Sequence, residues 1–228
     1  MAGEQNRDLG NFRSHLYGDV PLDEWPPDTR DDDLRGSEPW ESFIQARKAA
    51  RSQRMKDAVR IWQSIAARHD GEARHDGEAR HVLQAWHFLR QAGTQPGPDI
   101  ASRVLGTVAE VAVPAGHDVL ACYQDGSARY LNFAGSVIVY EGGNAQVDAA
   151  IAGLLNISQT VADAIGVWDK PQLPALLDGH TRVVMLTPAG ARFGQGPDAA
   201  LRTDRVASAL LSAATQVLTA LIKAASRS

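Results

Sequence analysis

Residues 93–99 read Gly-Thr-Gln-Pro-Gly-Pro-Asp, and they constrain the fold more than any other stretch of the chain. Two prolines and two glycines in seven positions cannot continue a helix or a central strand. Before this stretch apolar residues recur at helical spacing, and after it they recur as short β-branched runs. The chain therefore divides into a helical segment over 37–92, a linker over 93–99 and a second domain over 100–228.

In the helical segment Trp40, Phe43 and Ile44 begin an apolar stripe. Met55, Val59, Trp62, Ile65 and Ala66 repeat it, as do Val82, Leu83, Trp86 and Leu89. Ser37 is the expected N-cap, with Glu38 and Pro39 in the first turn. Three tryptophans, Trp40, Trp62 and Trp86, are too many for so few helices to bury. The expectation is that they pack on the second domain, on another copy or on a partner. A tandem hexapeptide, His-Asp-Gly-Glu-Ala-Arg at 69–74 and again at 75–80, reads as an elongated helix connection, a tolerated insertion that carries no site. Residues 1–36 read as an acidic arm, partly disordered, because Pro21, Pro26 and Pro27 interrupt any helix and Asp31, Asp32 and Asp33 form a solvated run. Leu16, Tyr17 and Trp25 are its docking residues.

Beyond the linker, the runs 104–113, 119–123, 128–133 and 137–140 are separated by turn signals, Asp125-Gly126 and Ala134-Gly135 among them. They read as an antiparallel meander. Asn144 caps a helix with Val147, Ile151, Leu154, Val161 and Ile165 on one face, ended by Gly166. A strand over 181–187, a turn at Pro188-Ala189-Gly190 and a short partner strand over 191–193 follow. Asp198 then caps a single long Ala-rich helix with Val206, Leu210, Ala213, Val217 and Leu221 on one face. Strands in a block, with helices after them, make an α+β fold with a mostly antiparallel sheet and helices packed on it.

Composition removes several classes. The chain is 44% hydrophobic and 22% charged, which excludes wholesale disorder. No apolar stretch is expected to reach the ~20 residues of a membrane span, and the start shows no apolar signal region. Cys122 stands alone, so no disulfide framework or multi-cysteine zinc site forms within the chain, and a reducing, cytoplasmic setting is expected. Arginine outnumbers lysine 19 to 4, a composition associated with GC-rich bacterial genomes. Residues 1–40 carry ten acids and four bases, and residues 41–90 carry six acids and ten bases. The basic face of Arg47, Lys48, Arg51 and Arg54 is expected to meet the acidic arm at Asp31–Asp33, in preference to nucleic acid.

The elements RHVLQAWHFLRQAG, DGSARYLN and LTPAGARFGQGP resemble uncharacterised bacterial proteins with a helical first half and an α+β second half, a resemblance that implies no activity. The second half is also similar in arrangement to profilin-like or roadblock-like modules, though its strand and helix order differs. That likeness implies docking or dimerisation.

Site signatures are sparse. His69, His75, His81 and His87 recur every six residues, a step that scatters them around a helix, so no metal site is expected. The two His-Asp pairs precede glycine and lack the further ligands of a metal phosphohydrolase. Gly190, Gly194 and Gly196 lack the Lys-Ser/Thr of a phosphate loop, and Asp198 repels an anion there. Glu110, His117, Cys122, Asp125, Arg129 and His180 are the polar residues nearest the sheet. Cys122 reads as core, although a pairing with His117 or His180 would make a nucleophile. Glu110, His117, Arg129 and His180 are the candidate catalytic set. The sequence carries no cofactor motif. The leading expectation is a protein-interaction or accessory module that binds a protein partner or itself. The alternative is a small-molecule-acting enzyme with a pocket between the helical segment and the sheet.

Overall fold

The computed structural model describes residues 12–26, 37–67, 78–114, 116–170 and 172–226. Asp31–Asp33, His69 and His75 fall outside the described residues. The chain forms two compact units, Met1–Gly97 and Pro98–Ser228, and the division falls inside the Gly/Pro stretch.

The first unit is helical. A short helix α1 (residues 12–17) precedes α2 (Trp40–Arg51), α3 (Met55–Ala67) and α4 (Ala79–Gln91). The first turn of α2 differs from expectation. Pro39 occupies the N-cap and Ser37 supplies a carbonyl to the Glu41 amide, while the Ser42 hydroxyl donates to Glu38. Proline is tolerated there because a first-turn amide has no intrahelical acceptor to lose. Two of the three tryptophans, Trp40 and Trp62, find ring partners inside this unit. Trp40 lies 5.2 Å from Trp25 and 4.9 Å from His81, ring centre to ring centre, and Trp62 lies 5.2 Å from Phe88. The segment before α2 supplies the missing apolar surface, with Leu16, Tyr17, Val20 and Trp25 all buried. Gln84 of α4 locks that segment in place. Its side-chain carbonyl accepts from the Val20 amide at 3.1 Å and its amide donates to the Val20 carbonyl at 2.8 Å. The basic face of α2 also meets the arm, at residues other than the expected aspartates. Arg51 pairs with Asp23 at 2.8 Å, and Arg47 donates to the Pro26 carbonyl at 3.0 Å.

The second unit is α+β. A short helix α5 (Pro98–Ala101) leads into β1 (Gly106–Val113), β2 (Gly116–Tyr123), β3 (Ala128–Leu131) and β4 (Val137–Tyr140). Then come α6 (Ala145–Ala164), β5 (His180–Thr187), β6 (Gly190–Pro197), α7 (Asp198–Thr203) and α8 (Arg205–Ala225). The six strands make one antiparallel sheet in the order β4-β3-β2-β1-β5-β6. Asp125-Gly126 makes the β2–β3 turn, with Gly126 at φ +85° and the Asp125 carboxylate accepting from the Ser127 amide at 2.9 Å. A left-handed φ costs glycine nothing, which is why that pair marks the turn.

One sheet face builds the core. Ala109, Leu120, Cys122, Ala128, Val183 and Met185 pack with Val147, Ile151 and Leu154 of α6 and Leu210, Ala213, Val217 and Leu221 of α8. Asn144 caps α6, accepting from the Gln146 and Val147 amides, and the helix ends at Ala164, two residues before Gly166. Arg192 stops it by donating to the Ala162 and Ile165 carbonyls, where a cation also meets the negative end of the helix dipole.

Two expectations fail at the C-terminal end. The partner strand of β5 is eight residues long, 190–197, where three were expected, because register with β5 carries the glycines along. The single helix from Asp198 is in fact two. Asp204 breaks it by accepting from the Val206 and Ala207 amides and so capping α8. By length and composition α8 is apolar enough to cross a membrane, contrary to the expectation from sequence, and a third of its most apolar window is buried. Its apolar stripe forms the core described above.

Candidate functional site

Strand alternation puts Glu110, His117, Arg129 and His180 on the sheet face opposite the helices, since Cys122 and Met185 mark the helix face. Three of the four are engaged there, each separately. Glu110 accepts from Arg182 Nη1 at 3.0 Å, and both side chains are buried. Arg129 grips Glu141 and donates to the Ala128 and Tyr140 carbonyls at 2.9 and 3.0 Å, clamping β3 to β4. His180 sits 3.1 Å from the Asp178 carbonyl, and His117 is exposed. Asp125 serves its turn. Cys122 points to the other face, so neither histidine can reach it, and burial pushes its thiol far above the ordinary range.

The described histidines of the six-residue series also part company. His81 packs against Trp40 and Phe43, and His87 meets Gln91 at 3.0 Å. Burial, with Arg90 nearby, pulls His87 down to about 4. Among the described residues no three of His, Cys, Asp and Glu gather as metal ligands.

Among the described residues the helix side holds an open groove of about 890 Å³ between α6 and α8, lined by Gln146, Ala150, Ser212 and Gln216, and two smaller cavities. One, of about 200 Å³, lies among Ile165, Met185, Phe193 and Leu210. The other, of about 190 Å³, has an apolar floor of Ala109, Leu120 and Leu218 and a polar wall. In that wall Tyr130 donates to Asp118 at 3.1 Å, while Asp198 accepts from Thr181 at 3.3 Å and from Arg202 at 2.6 Å. Burial and then Asp118 hold the Tyr130 hydroxyl above its usual pKa. The polar groups of the wall are thus paired with one another. None of the four candidate residues lines either cavity.

The two edges of the sheet differ sharply. Along β6, Trp168 donates its amide to the Ala191 carbonyl at 2.8 Å and sets its ring edge-on to Phe193 at 5.1 Å. Gln195 reaches the Ala175 carbonyl, and Arg182 holds the Pro174 carbonyl. The strand ends at Pro197, which has no amide hydrogen to offer. The β4 edge has no such cover among the described residues. Its sequence is Val-Ile-Val-Tyr, and no charged residue or proline occurs from Tyr130 to Tyr140. Val137 and Val139 are 48% and 60% exposed, and Phe133 in the preceding turn is 54% exposed. The Asn132 amide donates to the Ser136 carbonyl, which makes 132 and 136 a hydrogen-bonded pair. Antiparallel alternation then turns Ile138 toward Tyr130 and leaves the amides and carbonyls of Val137 and Val139 facing outward. The Tyr140 hydroxyl accepts from the Asn144 amide at 2.7 Å and donates to Asp148 at 2.7 Å, which pins the strand to the start of α6.

Sequence reasoning found β4 as a strand and missed it as a surface. The signal was the uncharged run from 130 to 140, since edge strands are ordinarily blunted by charge or proline. Comparison with protein-family models, with curated proteins and with solved structures finds no match to this chain.

Proposed function

We propose that this protein is an interaction module without catalytic activity and that it works by strand addition at β4. The observation that carries the reading is the asymmetry of the edges: at β6 the Trp168 amide takes the Ala191 carbonyl, its ring lies on Phe193 and the strand ends in a proline, while β4 presents outward backbone groups flanked by exposed valines. An added strand satisfies those groups and covers the valines in one step. The chemistry suits an extended, uncharged, β-branched segment. A cytoplasmic, bacterial setting belongs to the same proposal, supported by the lone buried cysteine and the arginine-rich composition. So does the likeness to profilin-like or roadblock-like docking modules, supported by the two long helices on one face of an antiparallel sheet. No nucleic-acid role is proposed, because Arg47 and Arg51 are held by the arm. The enzyme alternative has less support, since Glu110, Arg129 and His180 are committed to separate structural contacts.

The test is a synthetic peptide carrying Ser-Val-Ile-Val-Tyr between lysine tails, titrated into the isotopically labelled full chain. The Val137 and Val139 amide resonances should shift and gain protection from exchange, and Val139→Pro, which removes one outward donor, should abolish the shift and the protection at Val137. Shifts confined to other strands, or none at millimolar peptide, overturn the reading.

A further inference from the structure

We infer that the segment occupying the β4 edge is β4 of a second copy of this chain, paired antiparallel about a two-fold axis at Ile138. The inference rests on the strand-addition reading and adds the partner and the register.

The edge calls for a strand that is extended, uncharged and β-branched, and β4 is itself such a strand. It is already held straight by its pairing with β3 and by the Tyr140 hydroxyl, so joining a copy orders little new chain. Symmetry then selects the register. Residues directly opposite across an antiparallel pair share a face. An axis at Ile138 sets Ile138 against itself on the helix face and Val137 against Val139 of the other copy on the open face. All four exposed valines of the pair then meet on one side. The outward amides and carbonyls belong to Val137 and Val139, so this register mates each of them reciprocally and makes four main-chain hydrogen bonds. It also makes Ile138 a non-hydrogen-bonded pair, as the alternation requires. An axis at Val139 would instead bring the charged Glu141 against an exposed valine.

Electrostatics permit the pairing. Glu141, the nearest acid, is held by Arg129 and would face Gly135 of the other copy, so no like charges are opposed. A contact of one short strand belongs to the weak, exchanging class of interfaces, so the dimer should depend on concentration.

The experiment uses the full chain in two arms. In sedimentation equilibrium from micromolar to millimolar protein, the mass should rise from 24.5 kDa toward twice that value, and Val137→Lys with Val139→Lys should hold it at the monomer. In the second arm, Ile138→Cys under mild oxidation should give a disulfide-linked dimer. Val137→Cys should not link to itself at a comparable rate. Cβ atoms in non-hydrogen-bonded antiparallel pairs approach to ~4.5–5.5 Å, close to what a disulfide needs, and native Cys122 is buried and out of competition. The cysteine arm decides the matter if the lysine variant fails to fold. A monomer at every concentration overturns the second-copy inference. If the peptide still shifts Val137 and Val139 in that case, the edge reading survives it. A dimer that persists in a folded lysine variant, or that leaves Ile138→Cys reduced, also overturns it.

Discussion

Replacing Arg182 with methionine should destabilise the sheet unit by about 3–5 kcal/mol, the usual cost of breaking a buried ion pair from one side. The side chains of Arg182 and Glu110 are 4% and 3% exposed, so neither partner can fall back on water. The guanidinium serves three acceptors at once: Glu110 at 3.0 Å, Gln195 at 2.9 Å and the Pro174 carbonyl. Methionine has a similar length and no donors. It takes the guanidinium away from the buried Glu110 carboxylate and the donor away from a loop carbonyl. The paired change Glu110→Leu with Arg182→Met removes the buried carboxylate as well. It should recover most of the loss, leaving about 1–3 kcal/mol for the orphaned polar groups on the loop side. Urea denaturation of the full chain, followed by far-ultraviolet circular dichroism, reads both. With slopes of ~1–3 kcal/mol per molar for proteins of modest size, the single variant should lose roughly 1–5 M in midpoint. Exchange of the Trp168 amide, which is bonded to Ala191, should quicken in the same variant. A single variant within about 1 kcal/mol of the parent, or a double variant no more stable than the single, refutes the reasoning.

Two further outcomes follow from the structure. His87 is lowered from 6.5 to about 4 by burial and by Arg90, so the unfolded chain takes up its proton first as pH falls. Stability of the helical unit should therefore drop between pH 6.5 and 4, by at most about 1.4 kcal/mol per pH unit from this group. His87→Gln should flatten the slope of melting temperature over that window. Asp19, raised above its usual value mainly by burial, acts with the opposite sign, and Asp19→Asn separates the two. At the start of α8, Asp204→Ala removes a side chain that caps two amides, and thermal melting should register a loss of about 1 kcal/mol.

Much of the second unit was legible because its signals are local. The Asp125-Gly126 turn, the Asn144 cap and the stripes of α6 and α8 each depend on residues close in sequence. The failures have the opposite character. The strand β6 is rich in glycine and holds no β-branched residue, so nothing local announces it, and only register with β5 extends it to Pro197. Asp204 sits in an Ala-rich run whose helical period continues on both sides, which hid the break. The packing of residues 12–26 depends on Gln84, which lies 64 residues from Val20. The uncharged run from 130 to 140 was open to view, but that it forms a surface was not, for a related reason. Being an edge is a property of sheet order, and Val-Ile-Val-Tyr reads the same in the middle of a sheet.

The cover over β6 also fixes a number. A sheet with two bare edges can accept a neighbour on each side and grow without limit, as fibres do. On the strand-addition proposal, Trp168 at the Ala191 carbonyl and Pro197 at the strand end bias this sheet toward a valence of one. Two copies joined through β4 would then be finished as a pair. A lesion that freed β6 would raise the valence to two and let the same pairing continue as an open-ended polymer.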